Sequence, residues 1–575
     1  MRLFSTIVLS AVLCVSLAAQ EAAPSRFVPA DSCVVLRAAA PAKWKQHFAN
    51  TGVAKLLGAE TLAPLLAKAN AAIDAGIEEA RSSGKLDVDL LQRLLKDYTG
   101  YLVFSLQIDF ADVEAAIAAN RPPALSMVCA LTPDGSCDLG ALATALQAFA
   151  EADTESRHPL KDLVVGDQRL RILSDENLQA AMPFMHDGHL VMLFGTDLEK
   201  QAARLLGAAD RWEGEIDARP LFAYAQLDRL MEVFMKRVAM EMQREGAPFD
   251  VTQVLQDLGF GSLKTASLAL GAEDKHVVSE LHVSVGDGER GLFGAMMLDQ
   301  ARPKLLRWVP ANSESFSVGA FDPAAAFRTL RTIWEHLGPT VPLTFEHAMD
   351  AFAEATKVRL EEELLAHLGT EFMVVQDMEA QLDVAALEEM DAGAMLGGSC
   401  FGMALRNGKV FGESLEKVLR SRGMHAARKT EDYADTRVHR LTLGAAIELE
   451  YVVTDDLLLF AVGKDEAARR NLRAVLDARA KPGEGGDVAP ALAAHIAAVP
   501  AGWSGISVTQ VASAMEATSS MLDAMSAMGG PGMHELEMVA PVMKGLASEM
   551  KRFGLQLMIS TSHTSERSYV ARMRW

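Results

Sequence analysis

The chain of 575 residues has only five cysteines, 6% aromatic residues and no C-x-x-C pair. So few cysteines in so long a chain make no disulfide framework, and without paired C-x-x-C motifs neither a zinc ribbon nor a thioredoxin-type redox site is expected. There is no H-E-x-x-H and no phosphate-cradling G-x-x-x-x-G-K-[ST] loop. Basic residues are in deficit: 55 Lys and Arg face 76 Asp and Glu, for a net charge of −21. A surface that negative repels phosphate backbones, which argues against nucleic acid as a partner. Beyond the first twenty residues no apolar run is long enough to span a bilayer. What is present is ordinary globular composition, 50% hydrophobic and 23% charged, over a length that requires more than one core.

The N-terminus carries the clearest signal. Met1-Arg2 supplies a short positive start, Leu3 to Leu17 is apolar, and Ser16-Leu17-Ala18-Ala19 suits cleavage after Ala18 or Ala19. An uncleaved anchor needs a longer run, and a lipoprotein cysteine at Cys14 needs a small residue where Leu13 stands. Residues 1–19 are therefore expected to be a signal peptide, and the protein to be exported, periplasmic or extracellular. Loss of Arg2 takes the net charge from −21 to −22 and leaves Cys33, Cys129, Cys137 and Cys400. Cys33 and Cys129 both lie in strand-like runs and could pair if those strands are neighbours, but buried, inert thiols are the preferred reading.

An internal repeat organises the rest. A short apolar strand runs directly into an amphipathic helix four times: Cys33 to Arg37 into Trp44 to Phe48, Leu221 to Tyr224 into Leu227 to Lys236, Phe316 to Phe321 into Ala324 to Leu337, and Ile506 to Val508 into Gln510 to Met525. Asp322-Pro323 is a helix start, because Asp accepts orphan backbone N–H bonds and Pro suits the first helical position. Each copy is followed by a helix ending near glycine and then a strand, at Gly100, Gly259, Gly369 and Gly554. Two longer matches are Leu190 to Asp197 and Leu457 to Asp465, both strand, Gly-x-Asp, helix, with Asp197 and Asp465 as N-caps. The glycines of these matches, Gly195 and Gly463, lie 268 residues apart, and Pro41 and Pro323 lie 282 apart.

The expected fold is therefore α+β: two tandem copies of a unit with largely antiparallel sheet covered on one face by amphipathic helices. The first copy spans 27–286, with a long half 27–208 and a short half 218–286. A linker follows at 287–312, and the second copy spans 313–575, with halves 313–478 and 503–575. Gly286 to Gly291 falls between the copies, Lys481 to Asp487 between the halves of the second, and Gly529 to Gly532 interrupts its last helix.

This layout resembles a bacterial family of large exported proteins of unknown function. The likeness rests most visibly on Leu364 to Val375 and on Trp308-Val309-Pro310 before the third opening strand. It implies a class and a location, and no chemistry.

Individual motifs favour scaffold over site. Gly286-Asp287-Gly288-Glu289-Arg290-Gly291 matches G-x-G-x-x-G, yet Asp287 and Glu289 would repel a pyrophosphate, so it reads as a connector. His186-Asp187-Gly188-His189 places two imidazoles beside a carboxylate, but Asp-Gly between apolar runs is a hairpin turn, and a metal needs a third ligand. Gly397-Gly398-Ser399-Cys400-Phe401 and Gly502-Trp503-Ser504-Gly505-Ile506 lack the final glycine of a nucleophile elbow. Glu361-Glu362-Glu363 reads as a solvated helix face. Met521, Met525 and Met528, like Met231 and Met235, recur at helical spacing. That stripe suits a helix packed on a sheet, with soft copper or a varied apolar ligand as the alternatives. The alternating C-terminus ending in Trp575 imitates a membrane barrel, but the many helical runs oppose one.

No catalytic, cofactor-binding or metal-ligating residue is singled out, and no cofactor is expected. The expected function is a non-catalytic exported protein that binds or scaffolds an apolar ligand or an envelope protein, through an apolar groove between the copies. The rival is a hydrolase whose site joins residues distant in sequence.

Overall fold

The computed structural model describes residues 27–575 except 58–77, 79–97, 133–136, 155–159, 175–177, 299–302, 377–397, 444–446, 463–465, 481–502, 528–533, 553–556 and scattered loop positions. The signal segment, Asp465, Lys481 to Asp487, Gly529 to Gly532 and Gly554 lie outside the described residues. The chain divides into two compact units, one built from Met1–Arg237 and Lys264–Val283, the other from Val238–Leu263 and Ser284–Trp575.

The first unit holds β1 (Val34–Ala39), β2 (Tyr101–Ile108), β3 (Leu125–Leu131), β4 (Lys161–Val165), β5 (Gln168–Ser174), β6 (Gln179–His186), β7 (His189–Gly195), β8 (Leu221–Gln226), β9 (Leu263–Glu273) and β10 (His276–Val285). They pair in the order β4-β5-β6-β7-β3-β2-β1-β8-β9-β10, antiparallel throughout β4 to β9. The β6–β7 hairpin turns at Asp187 and Gly188 with φ of 49° and 80°, the two positive values a type I′ turn demands, and His186 faces His189 across it.

Alternation along β7 decides how this sheet is covered. Leu190, Met192 and Phe194 pack with Leu139, Leu142 and Ala143 of the helix Leu139–Thr154. Val191 and Leu193 point the other way, onto Leu198, Ala202 and Leu205 of the helix Leu198–Leu206. All seven residues of β7 are buried, so helices cover both faces here, and the expected one-sided sheet is corrected. The physical reason is visible in the strand itself, which has no polar residue between His189 and Gly195, as a strand buried on both sides requires.

The second unit holds β11 (Ser315–Ala320), β12 (Leu368–Gln376), β13 (Ser399–Leu405), β14 (Lys429–Tyr433), β15 (Thr436–Leu443), β16 (Ile447–Val453), β17 (Leu457–Val462), β18 (Gly505–Gln510), β19 (Leu557–Thr564) and β20 (Ser568–Arg574). Its antiparallel order is β14-β15-β16-β17-β13-β12-β11-β18-β19-β20, which is the first order with every number raised by ten. Leu457, Leu459 and Ala461 pack on Leu472, Val475 and Leu476 of the helix Glu466–Ala480. On the opposite face Leu458 and Phe460 pack with Leu415 of the helix Gly408–Ser421.

Local signals behave as their chemistry dictates. Asp322 accepts from Ala324 N (2.9 Å) and Ala325 N (3.1 Å) at the start of the helix Pro323–Leu337. Gly259 ends the helix Val251–Asp257 region in a left-handed conformation, φ 100°, as expected. Gly369 does not play that role: it sits inside β12, and the residues before it form a π turn, Leu360–Leu364, and a 3-10 turn, Leu365–His367. The stretch expected as a linker, 287–312, contains the short helix Gly291–Met296 and a 3-10 turn, Lys304–Trp308, whose Leu305, Leu306 and Trp308 join the second unit's core. Gly291, φ 51°, lies so near Gly259 that a Cβ on it would sit 2.1 Å from Asp257 O.

Cys33 and Cys129 are not neighbours. Phe104 of β2 is the partner of Cys129, and Cys33 N bonds to Leu106 O of the same strand, so β2 separates the two thiols. Cys33 and Cys400 form no disulfide.

Candidate functional site

A cleft of about 720 Å³ opens in the first unit at the ends of β2 and β7 and the start of β3. One wall is the loop after β2. Asp109 N donates to Ala124 O (2.8 Å), and Asp109 Oδ1 accepts from Ala111 N (3.0 Å). Asp112 fastens the loop's return by accepting from Ala124 N (2.8 Å) and from Arg121 Nη1 (2.7 Å), whose hydrogen bonds hold its carboxyl at about 2.

The opposite wall is the first turn of the helix Leu198–Leu206, where Asp197 caps by accepting from Lys200 N (3.1 Å). This helix buries Leu198, Gln201, Ala202 and Leu205, so a glutamine occupies a core-facing position. Gln201 Nε2 donates to Met127 O (2.7 Å), tying the helix to β3, while its Oε1 is buried without a hydrogen-bond partner. A Cβ on Gly195 would lie 2.7 Å from Leu125 O and 3.2 Å from that oxygen, so the close approach of β3 requires glycine at the end of β7.

Charges around the cleft sort into engaged and unengaged. Asp31 accepts from Gln107 Nε2 and from Arg204 Nη1 (3.2 Å). Glu232 pairs with Lys236 (3.0 Å). Asp109 and Asp197 take the backbone bonds already given. The Lys200 ammonium meets no carboxylate among the described residues, and the Arg229 guanidinium lies 5.4 Å from the centre of the Phe110 ring instead of against an acid. Among the described residues no histidine or cysteine lines this cleft.

A second cleft, about 300 Å³, lies in the second unit between the helix Gly408–Ser421 and β15–β16. Arg428 forks onto Glu416 and reaches Tyr451 Oη (3.3 Å), while His439 Nδ1 meets Thr430 Oγ1 (3.1 Å) and its ring tilts over Tyr451. Burial, helped by Arg428, pushes the His439 imidazole below its ordinary range, and burial pushes the Tyr451 phenol up. Beside it, Glu450 is 2% exposed and is ringed by Arg440 (2.6 Å), Arg469 (3.3 Å) and Arg473 (3.6 Å).

The residues weighed in the sequence fall as follows. His186 and His189 are cross-strand partners, and His189 is buried with Nδ1 against Asp187 O (2.9 Å) and its ring on Phe27. Among the described residues no three His, Cys, Asp or Glu side chains are grouped to hold a metal. Ser399 and Cys400 are buried in β13, and burial pushes the Cys400 thiol up to about 12, far from a thiolate. Ser504 is buried ahead of β18 and bonds to Ser562 O (3.3 Å). Met235 is buried; the side chains of Met521 and Met525, and all of Met528, lie outside the described residues. The cleft residues Asp31, Gln107, Lys200, Gln201 and Arg229 were not singled out. The one available signal was Gln201, a polar residue in the apolar stripe of an otherwise regular amphipathic helix.

No family model matches the chain, and no curated protein matches it significantly. Solved structures titled as crystal forms IV and III of TP0453 share 8% identity with it at a TM-score of 0.21, covering 48% and 47% of this chain and 83% and 82% of theirs.

Proposed function

We propose that the chain is an exported, non-catalytic binding protein of the bacterial cell envelope, a member of the family of large exported proteins it resembles, built from two tandem copies of one α+β unit. The shared strand order and the paired placement of helices on β7 and β17 support the duplication. The binding surface is the cleft of the first unit, which takes a small polar ligand. The observation that supports this is an opening of about 720 Å³ on which several polar side chains converge.

Thermal denaturation of the mature protein against a panel of polar metabolites tests the reading. A rise in Tm with one ligand class, lost in Ala111→Trp at the rim of the cleft, is the expected result; no rise with any class, or one indifferent to that substitution, overturns it. N-terminal sequencing of the protein secreted with its own leader is expected to begin at residue 19 or 20. A hydrolase would place its base at His439, the imidazole set beside Glu416 and Arg428 in the second cleft. Turnover of an ester, peptide or phosphoester panel that His439→Gln abolishes would establish that alternative; the expected result is no turnover.

A further inference from the structure

We infer that the second unit carries an acid-operated latch: a proton taken up by His439 loosens the Arg428–Glu416 fork and frees the helix Gly408–Ser421 from β14–β16. It lies in the other unit from the ligand cleft and is independent of that reading. One polar network ties the helix to all three strands. Glu416 on the helix is gripped by both terminal nitrogens of Arg428. Arg428 stands just ahead of β14 and reaches Tyr451 Oη on β16 (3.3 Å). The Tyr451 ring lies against His439 of β15, ring centres 5.1 Å apart, and His439 Nδ1 meets Thr430 Oγ1 of β14 (3.1 Å). Beneath this network Leu415 and Leu419 of the helix pack with Leu441, Leu449 and Tyr451, the surface that release uncovers.

A proton on His439 arrives where positive charge is already in place. Thr430 is indifferent to it, because a hydroxyl donates to a neutral ring nitrogen or accepts from a protonated one. Arg428, its side chain 15% exposed, lines the same cleft, and Arg437 stands two residues away on the same face of β15. The nearby carboxylates are claimed. Glu416 is shared by Arg428, Arg420 (3.1 Å) and His425 (3.4 Å), and Asp432 of β14 answers Arg437 (3.9 Å). Glu413, Asp455 and Lys409 are exposed at the rim, where water and salt screen them. Burial and Arg428 together outweigh Glu416 and hold the imidazole below its ordinary range. In acid the proton therefore pushes on Arg428. Glu416 keeps Arg420 and His425 as partners on the solvent side, so the fork is the link that parts. The first unit has the same hairpin without this proton site. Its Asp162 and Arg171 are register partners as Thr430 and His439 are, each 268 residues earlier, and that pair contains no imidazole.

The sign follows from linkage. A histidine held low in the fold is neutral in every form well above pH 6.5, and it costs stability as pH falls below 6.5, where the opened chain takes the proton first. Hydrogen–deuterium exchange of the full mature chain at pH 7.5 and 5.5, corrected for intrinsic rates, tests the latch. Peptides from the helix Gly408–Ser421 and from β14–β15 are expected to exchange severalfold faster at pH 5.5. The ceiling is about tenfold, because pH 5.5 lies about one unit below the free imidazole. Peptides from β4–β5 serve as the reference and are expected to keep their protection. His439→Gln is expected to abolish the difference, and His439→Arg, which fixes a charge there, to exchange fast already at pH 7.5. Exchange in the parent that changes no more than the reference overturns the latch. So does a difference that persists in His439→Gln, or one that vanishes in His425→Gln, because the proton then acts elsewhere. Slow exchange of His439→Arg at pH 7.5 overturns it as well, since charge at that position then leaves the fork closed.

Discussion

Six residues after Gly195 stands Gln201, and six residues after Gly463 stands Arg469. Both project from the helix that follows the most apolar strand of their unit, β7 or β17, and both reach a neighbouring strand. In the first unit a neutral amide ties the helix to the backbone of β3. In the second a guanidinium enters a buried cluster with Glu448 and Glu450, joined by Arg440 and Arg473. The strand orders are alike while the polar chemistry at this position is not. Topology here is carried by apolar alternation on two faces of each sheet, while the polar side chains at this position differ, a helix-to-strand tie beside a cleft in one unit and an ion network in the other.

The comparison can be broken most severely at Glu450. Glu450→Ala leaves three arginines around a buried site, and unfolding in urea is expected to show a loss of about 3–5 kcal/mol in the second unit's transition. Leu193→Ala, on the face that receives the helix Leu198–Leu206, is expected to cost about 3 kcal/mol in the first unit. If the apolar faces carry the topology, both variants keep native far-ultraviolet circular dichroism at low temperature. Removing the cap by Asp322→Ala is expected to cost about 1 kcal/mol, read by the same denaturation.

A smaller effect follows from Glu416. Burial raises its carboxyl, but hydrogen bonds from Arg428 and Arg420 outweigh this and hold it below the usual carboxylate range. A depressed carboxyl stabilises the fold above its unfolded value, near 4.3, and that contribution disappears as pH falls through the folded value. Acid titration of Tm is therefore expected to fall less steeply below about pH 4 in Glu416→Gln than in the parent.

How much of this was legible follows the range over which each feature acts. The turn at Asp187-Gly188 and the caps at Asp197 and Asp322 depend on three or four consecutive residues, and each sits where its chemistry requires. Two-sided burial was written in Leu190 to Phe194, but a short apolar run reads equally as one-sided sheet until its helices are placed. Gly369 misled because a leucine-rich run before glycine looks like a helix end, whereas the strand has already begun at Leu368. The cleft was illegible for another reason. It joins Asp31, the loop at 109–124, Lys200 and Arg229, which only a sheet with β1, β2, β3 and β7 side by side can assemble. Within it only Gln201 departs from its local pattern.

The assignment of Val238–Leu263 to the second unit bears on how the protein is made. In that segment Asp257 is 3% exposed and its carboxylate is met by Gln253 and by His336, a residue 79 positions downstream. During synthesis this short helix leaves the ribosome well before its histidine partner exists, and it must stay solvated until the helix Pro323–Leu337 arrives. A nascent chain halted near residue 300 is thus left holding an unclaimed piece of the domain that has yet to be translated.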